Sequence, residues 1–252
     1  TFFKKKEIKL IFQSSFPHEE ALVNFFKRLV AKWIYKISGK QVDSLVAVSP
    51  KGLKRLQKLM PYAQKGIYIP LLSDENIKVN EFKLKNQKEK IKFIYVGDHS
   101  KPRKLEIVLN AIVQSVNKGL FAEFKFIGGK IEDINRLSKV SGLSKLKKNG
   151  VIKFFEKIPR KYLWKEFMDI DIGLSLIPPD AHYVEASPTK LSEYMRAGIA
   201  VLASNGIDLQ EEFVKKSGGG MMCEWNEDAI EKGLIDISTN RIELNNMKKK
   251  RI

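Results

Sequence analysis

Residues 91–104, IKFIYVGDHSKPRK, run through six positions, all but Lys92 β-branched or aromatic, into a glycine, then a proline set among Lys101, Arg103 and Lys104. A strand is expected over IKFIYV, and the apolar spacing that follows predicts a helix over 103–118. The same alternation returns five times: AEFKFI then 131–140, VIKFF then 160–168, DIGLSLI then 189–197, AVLAS then 208–216, and GMMCEW then 227–236. Six strand–helix units in series predict a doubly wound parallel sheet. Such sheets bind ligands at the carboxyl ends of their strands, which here are the loops VGDHSKPRK, IGGK, FEKIPRK, IPPDAHYVEASPTK and SNGID.

The earlier part of the chain holds fewer elements. A strand-like IKLIF leads to a helix over about 19–38, then VDSLVAVS and a second helix from Pro50 to about Leu59, which is only part of a sheet. Lys78 to Lys90, KVNEFKLKNQKEK, is charged and poor in β-branched residues, as linkers are. The expected layout is a partial N-terminal domain over 1–80, a linker over 81–90, a main α/β domain over 91–236 and a C-terminal helix or tail over 237–252. A helix from that tail is expected to cross back to the first domain.

The chain has 252 residues with 43% apolar content, enough for a real core. No run approaches the roughly 18 apolar residues of a membrane span, and the first residues lack the apolar stretch of a secretory leader. The chain begins at Thr1 without Met, so an upstream part is expected. One cysteine, Cys223, excludes an internal disulfide and fits a reducing, cytoplasmic compartment. The formal charge is +17, and residues 1–90 hold 19 Lys and Arg against 8 Asp and Glu. That excess implies an anionic partner on the N-terminal side: nucleic acid, an acidic membrane surface or a phosphorylated substrate. Residues 20–37, EALVNFFKRLVAKWIYKI, align Leu22, Phe26, Leu29, Trp33 and Ile37 on one stripe with Lys27, Arg28, Lys32 and Lys36 elsewhere. Such a basic amphipathic helix either packs on its own sheet or lies on a membrane surface.

Three loops carry candidate chemistry. Gly97 follows the first main strand and precedes the basic group at 101–104. Either it lets a diphosphate approach the backbone and the basic group neutralises it, or this is an ordinary turn with a solvated face. Gly128, Gly129 and Lys130 repeat the arrangement one unit later. In residues 185–198, EASPTKLSEYMRAG, Ser187 fits an N-cap and Pro188 the first helical position, and a helix start offers free N–H groups to phosphate. Thr189 adds a hydroxyl and Lys190 a charge. Glu185 and Glu193 stand on either side of that start, either as solvated glutamates or as acceptors for ligand hydroxyls. His18, His99 and His182 have no metal-ligand spacing, and no metal site is expected.

Residues 185–204, EASPTKLSEYMRAGIAVLAS, resemble the donor-site signature of retaining glycosyltransferases of the GT-B fold, the glycosyl transferases group 1 family. The likeness extends to VGDHSKPRKLEIVLNAI, FKFIGGKI, FFEKIPRKYLWKEFMDIDIGLSLIPP and VDSLVAVSPKGLKRL, covering about residues 41–236. The resemblance implies a Rossmann-like donor domain plus a partial N-terminal domain lacking its opening strands, and a hexosyltransferase acting with retention, without metal or other cofactor, in polysaccharide or glycolipid biosynthesis. It implies that Glu193 binds the ribose hydroxyls of a nucleotide sugar, that Pro188, Thr189 and Lys190 meet its phosphates, and that Glu185 sits against the sugar ring. It places Arg103 where the family carries a diphosphate-binding lysine. In the position after the first-strand glycine, where the family commonly has arginine, this chain has Asp98; either Lys101 and Arg103 take over, or donor affinity is weaker.

The expected partners are a nucleotide-sugar donor, a lipid-linked or polysaccharide acceptor and, through the basic N-terminal side, an anionic membrane surface at the inner face. A nucleic-acid partner rests on charge alone and is not expected. The alternative is a non-catalytic nucleotide-sugar or lipid-carrier binding module, or one half of a two-chain enzyme.

Overall fold

Alternate residues of the strand Ile91–Val96 are apolar toward both faces, and that double burial is what a parallel sheet covered on two sides requires. The computed structural model describes residues 8–20, 22, 24–63, 65–73, 86 and 88–250. These form two units. Unit 1 gathers the described residues up to Leu71 with Pro179–Ser187 and Gly206–Leu209, and unit 2 holds the rest. Most of the linker expected at 81–90 lies outside the described residues.

In unit 2, six parallel strands stand in the order β6-β5-β4-β7-β8-β9: β4 (Ile91–Val96), β5 (Ala122–Gly129), β6 (Ile152–Glu156), β7 (Ile172–Ser175), β8 (Ala200–Ser204) and β9 (Gly220–Cys223). The chain winds outward in one direction from β4 and in the other from β7. The β4–β7 boundary is therefore the topological switch point, where such sheets open a crevice. The doubly wound fold expected from the sequence is present, and it is Rossmann-like.

One face of this sheet, with Phe93, Tyr95, Phe124, Phe126 and Leu174, packs under α3 (Leu105–Asn117) and α9 (Glu227–Thr239) through Leu105, Leu109, Ile112, Ile230 and Leu234. The opposite face, with Ile94, Ile127, Val201 and Ala203, receives α6 (Arg160–Phe167) and α7 (Thr189–Arg196) through Phe167, Leu191, Tyr194 and Met195. The helix expected over 131–140 is the shorter α4 (Ile131–Leu137), and a further short helix not expected from the sequence, α5 (Leu143–Lys148), follows it. Gly142, at φ +79°, is the residue before the second, in a left-handed conformation that glycine adopts without strain. Past α8 (Asp208–Ser217), the tail forms α10 (Arg241–Lys249). It packs within unit 2, where Lys248 reaches the buried Asp171 at 2.9 Å and Arg241 donates to the Glu89 carbonyl at 3.1 Å. The buried Asp171 carboxylate holds Lys248 at the foot of β7.

In unit 1, β1 (Ile11–Ser14), β2 (Ser44–Ala47) and β3 (Lys65–Tyr68) form a parallel sheet in that order. β3 is not expected from the sequence, since KGIY has neither alternation nor length. Leu45, Ala47, Leu56 and Met60 form the unit's core, and Phe12 meets Tyr35 edge to face at 5.7 Å. The helix expected over 19–38 starts later, as α1 (Phe25–Ser38), because the Asn24 side chain accepts from the Phe26 and Lys27 amides and caps it there. α2 (Pro50–Leu59) starts where the sequence predicts. Ser49 caps it by accepting from the Gly52 amide at 3.1 Å, with Pro50 in the first turn.

Candidate active site

The glycine loops expected to approach a ligand meet each other at the carboxyl ends of β4 and β5. Gly97 N–H donates to the Ile127 carbonyl at 2.9 Å. A Cβ on Gly128, which lies at φ +117°, would collide with the Gly97 carbonyl oxygen, so only glycine allows the two loops this approach. A Cβ on Gly129 would collide with the imidazole of His99. That histidine is fully buried among Tyr95, Phe126 and Phe154, and neither ring nitrogen has a hydrogen-bond partner among the described residues. Burial holds its pKa down to about 4, with smaller opposing and supporting contributions from Asp98, Lys190 and Arg136. His99 is thus a buried packing group of this loop. Asp98 is exposed and accepts from the Ser100 hydroxyl, which ties its carboxylate to its own loop.

Arg103 ends a short 3-10 turn, Lys101–Arg103, closed by Lys104 in the left-handed region at φ +48°. Its charge is felt by Lys190, which is buried with its ammonium 4.1 Å above the Tyr95 ring centre. Burial first, and Arg103 second, push the Lys190 pKa well below the usual lysine range. Among the described residues Lys190 has no carboxylate partner.

Lys190 belongs to the first turn of α7. Pro188 occupies the N-cap position and Thr189 is the first helical residue, so the cap expected at Ser187 lies one residue too early. The Ser187 hydroxyl instead accepts from the Leu71 amide at 2.8 Å, and no side chain caps α7. One turn further on, Glu193 is buried and accepts from Arg160 at 2.8 Å, while the Arg160 side chain itself is 59% exposed. Tyr194 anchors the helix by accepting the Val96 amide at 2.8 Å. Gly97, Gly128, Gly129, Arg103, Pro188, Thr189, Lys190 and Glu193 therefore all belong to unit 2.

Glu185 belongs to unit 1. Its carboxylate accepts from Arg55 Nε at 2.7 Å, and its carbonyl accepts from the Ser49 hydroxyl at 2.8 Å. Arg55 also donates to Glu19 at 2.6 Å, and Glu19 is 1% exposed. Burial works against the Arg55 charge, but the bonds and charges of Glu185 and then Glu19 outweigh it and raise its pKa. Arg55, Glu19, Arg160 and Tyr194 are not among the residues singled out from the sequence. Arg160 lies in the loop FEKIPRK, where strand-end position was the available signal; Arg55 is separated from its partners by 36 and 130 residues, and no local pattern marks it. Among the described residues, no group of three or more His, Cys, Asp or Glu side chains is placed to hold a metal ion.

The sequence profile of the family described as "Glycosyl transferases group 1" matches residues 76–252. No curated protein sequence matches the chain. Among solved structures, the fold is similar to sucrose-phosphate synthase from Thermosynechococcus elongatus, at TM-score 0.68 and 18% identity over 92% of this chain and 57% of that one. It is similar to HepE from Anabaena in complex with UDP-glucose, at TM-score 0.73 and 10% identity over 96% of this chain and 66% of that one. It is also similar to WaaG, a glycosyltransferase involved in lipopolysaccharide biosynthesis, at TM-score 0.66 and 15% identity over 95% of this chain and 68% of that one. The chain thus spans little more than half the length of the synthase and about two thirds of the other two. At these identities the structural likeness concerns the fold, and the profile, which matches well over half of the chain, decides the family. The chain belongs to the glycosyl transferases group 1 family.

Proposed function

We propose that the chain acts as a retaining glycosyltransferase of hexosyltransferase type, moving a sugar from a nucleotide-sugar donor to a lipid-linked or polysaccharide acceptor. The observation that carries this reading is Lys190, buried over Tyr95 with no carboxylate partner among the described residues and with the charge of Arg103 bearing on it. An uncompensated buried cation is costly, and a second cation adds to the cost. A diphosphate would relieve both. HepE and the O-GlcNAc transferase GtfA were solved with UDP-glucose and with UDP and GlcNAc, which makes a uridine nucleotide sugar the first candidate donor.

In this reading the nucleotide lies against the backbone of the loops at Gly97, Gly128 and Gly129, whose missing side chains let the loops pack on one another and on His99. The uncapped first turn of α7, which follows Pro188, offers the Thr189 and Lys190 backbone N–H groups to the phosphates. Glu193 accepts from the ribose hydroxyls and Glu185 from the sugar. As the bond from the anomeric carbon to the diphosphate oxygen breaks, negative charge grows on the leaving group, where Lys190, Arg103 and the helix start stabilise it. The acceptor oxygen bonds to the same face of that carbon, and its proton passes to a phosphate oxygen of the donor. No metal or other cofactor takes part in this scheme.

Attachment to the anionic inner face of a membrane belongs to the same proposal. α1 buries none of its residues and exposes Phe25, Phe26, Leu29, Trp33 and Ile37 beside Lys27, Lys32 and Lys36. Among the described residues no helix is long and apolar enough to cross a membrane. A helix of this composition supports residence at a charged interface in the cytoplasm.

Thermal-shift measurements with UDP, GDP, ADP and their glucose conjugates test the donor reading. At least one pair is expected to raise the melting temperature of the parent, and Lys190→Met, which fills the same space without charge, is expected to lose that shift. Absence of any shift in the parent, or full retention in Lys190→Met, would contradict it. Binding without sugar transfer to any acceptor would favour the non-catalytic module.

A further inference from the structure

Arg55 joins two carboxylates from segments far apart in the chain, using one nitrogen for each: Nε to Glu185 Oε2 at 2.7 Å and a terminal nitrogen to Glu19 Oε1 at 2.6 Å. The Arg55 side chain is 14% exposed and that of Glu19 1%, so this is a built contact and not a surface pair. Glu19 follows the turn after β1, where the Ser14 hydroxyl donates to the Phe16 carbonyl at 2.9 Å and the Glu20 amide to the Pro17 carbonyl at 3.1 Å. Arg55 lies one turn after Gly52 on α2, and the Glu185 carboxylate lies near that glycine at the helix start. The Ser49 hydroxyl holds the Glu185 backbone at 2.8 Å. Side chain and main chain of Glu185 are therefore both fixed from α2. The second oxygen, Oε1, has no protein partner among the described residues.

We propose that Arg55 is a positioning residue for Glu185, and that Glu19 in turn positions Arg55. The planar guanidinium sets the Glu185 carboxylate in one orientation with Oε1 left to accept from a donor-sugar hydroxyl. Two carboxylates share one guanidinium, so the cluster keeps a net negative charge suited to hydroxyl donors. A lysine would carry the charge but not the two-pronged geometry. The inference deepens the proposed function and rests on Glu185 meeting the donor sugar.

The test compares Arg55→Met, Arg55→Lys, Glu19→Gln and Glu185→Gln in the full chain by calorimetry. The probes are whichever of UDP, GDP and ADP binds most tightly and its glucose conjugate. Arg55→Met is expected to weaken the glucose conjugate about tenfold while the free diphosphate stays within about twofold of the parent. Glu19→Gln should shift the same ratio about threefold, and Arg55→Lys should recover part of the Arg55→Met loss. A purely structural role would lower both affinities together, and that result, or an unchanged ratio in Arg55→Met with a lowered one in Glu185→Gln, overturns the inference. An unchanged ratio in Glu185→Gln identifies the underlying role of Glu185 as the error and removes the inference with it. Should Arg55→Met fail to fold, Arg55→Lys decides, with a ratio equal to the parent's counting against.

Discussion

The Tyr194 hydroxyl accepts the Val96 backbone N–H at 2.8 Å, linking the helix that carries Lys190 and Glu193 to the last residue of the strand that leads into Gly97. Tyr194 is fully buried, and its ring fills the space above Gly173, where a Cβ would collide with it. Tyr194→Phe keeps the ring and removes the acceptor. The unpaired amide is expected to cost about 1–2 kcal/mol, read as a lower urea midpoint with unchanged slope. Nucleotide affinity should fall with it, because the bond sets α7 against the end of β4. An unaltered midpoint would show that water replaces the hydroxyl freely.

His99 makes unit 2 sensitive to acid. Its folded pKa is about 4 against an ordinary value of 6.5, so between these values the unfolded chain binds a proton that the folded chain refuses. Stability contributed by neutral His99 is thus intact above about pH 6.5 and is lost progressively toward pH 4, by up to about 3 kcal/mol. His99→Leu removes this titration and is expected to flatten the fall in unfolding free energy between about pH 7 and pH 5. Parallel pH curves for parent and variant would contradict the assignment.

α1 offers a separate test. Phe25 is 75% exposed, Phe26 71% and Trp33 64%, on a helix that also carries Lys27, Arg28, Lys32 and Lys36. Sedimentation with anionic vesicles is expected to capture the protein at low salt, and each basic residue near such a surface contributes roughly 1 kcal/mol. Lys32→Glu with Lys36→Glu should release it, and Trp33→Ser should weaken capture with less dependence on salt. Equal capture by neutral and anionic vesicles would remove the electrostatic basis.

The doubly wound sheet was legible because strands buried on both faces read as short continuous apolar runs, as in Ile91–Val96 and Ala200–Ser204. β3 was not, because its KGIY is held by pairing with β2, a partner 21 residues earlier in register. The start of α1 was missed by several residues, since apolar spacing continues upstream of the Asn24 cap. In the candidate site, Lys190 and Glu193 stand out in EASPTKLSEYMRAG as residue types, but the burial of Lys190 and the Arg160 contact to Glu193 arise from long-range packing. Arg55 was invisible for the same reason: an arginine in the basic run KGLKRLQK has nothing in its neighbourhood to distinguish it from a solvated one.

The most direct test is calorimetry of nucleoside diphosphates on Glu193→Ala and Glu185→Ala side by side. If Glu193 accepts both ribose hydroxyls, its loss removes two charge-assisted bonds of about 1.5–3 kcal/mol each at most, and diphosphate binding should weaken about tenfold or more with the fold retained. Glu185→Ala should leave diphosphate affinity nearly unchanged and lower affinity for the sugar conjugate and the rate of transfer. A Glu193→Ala protein that binds every nucleoside diphosphate as tightly as the parent would contradict the donor site, leaving Glu193 a structural partner of Arg160.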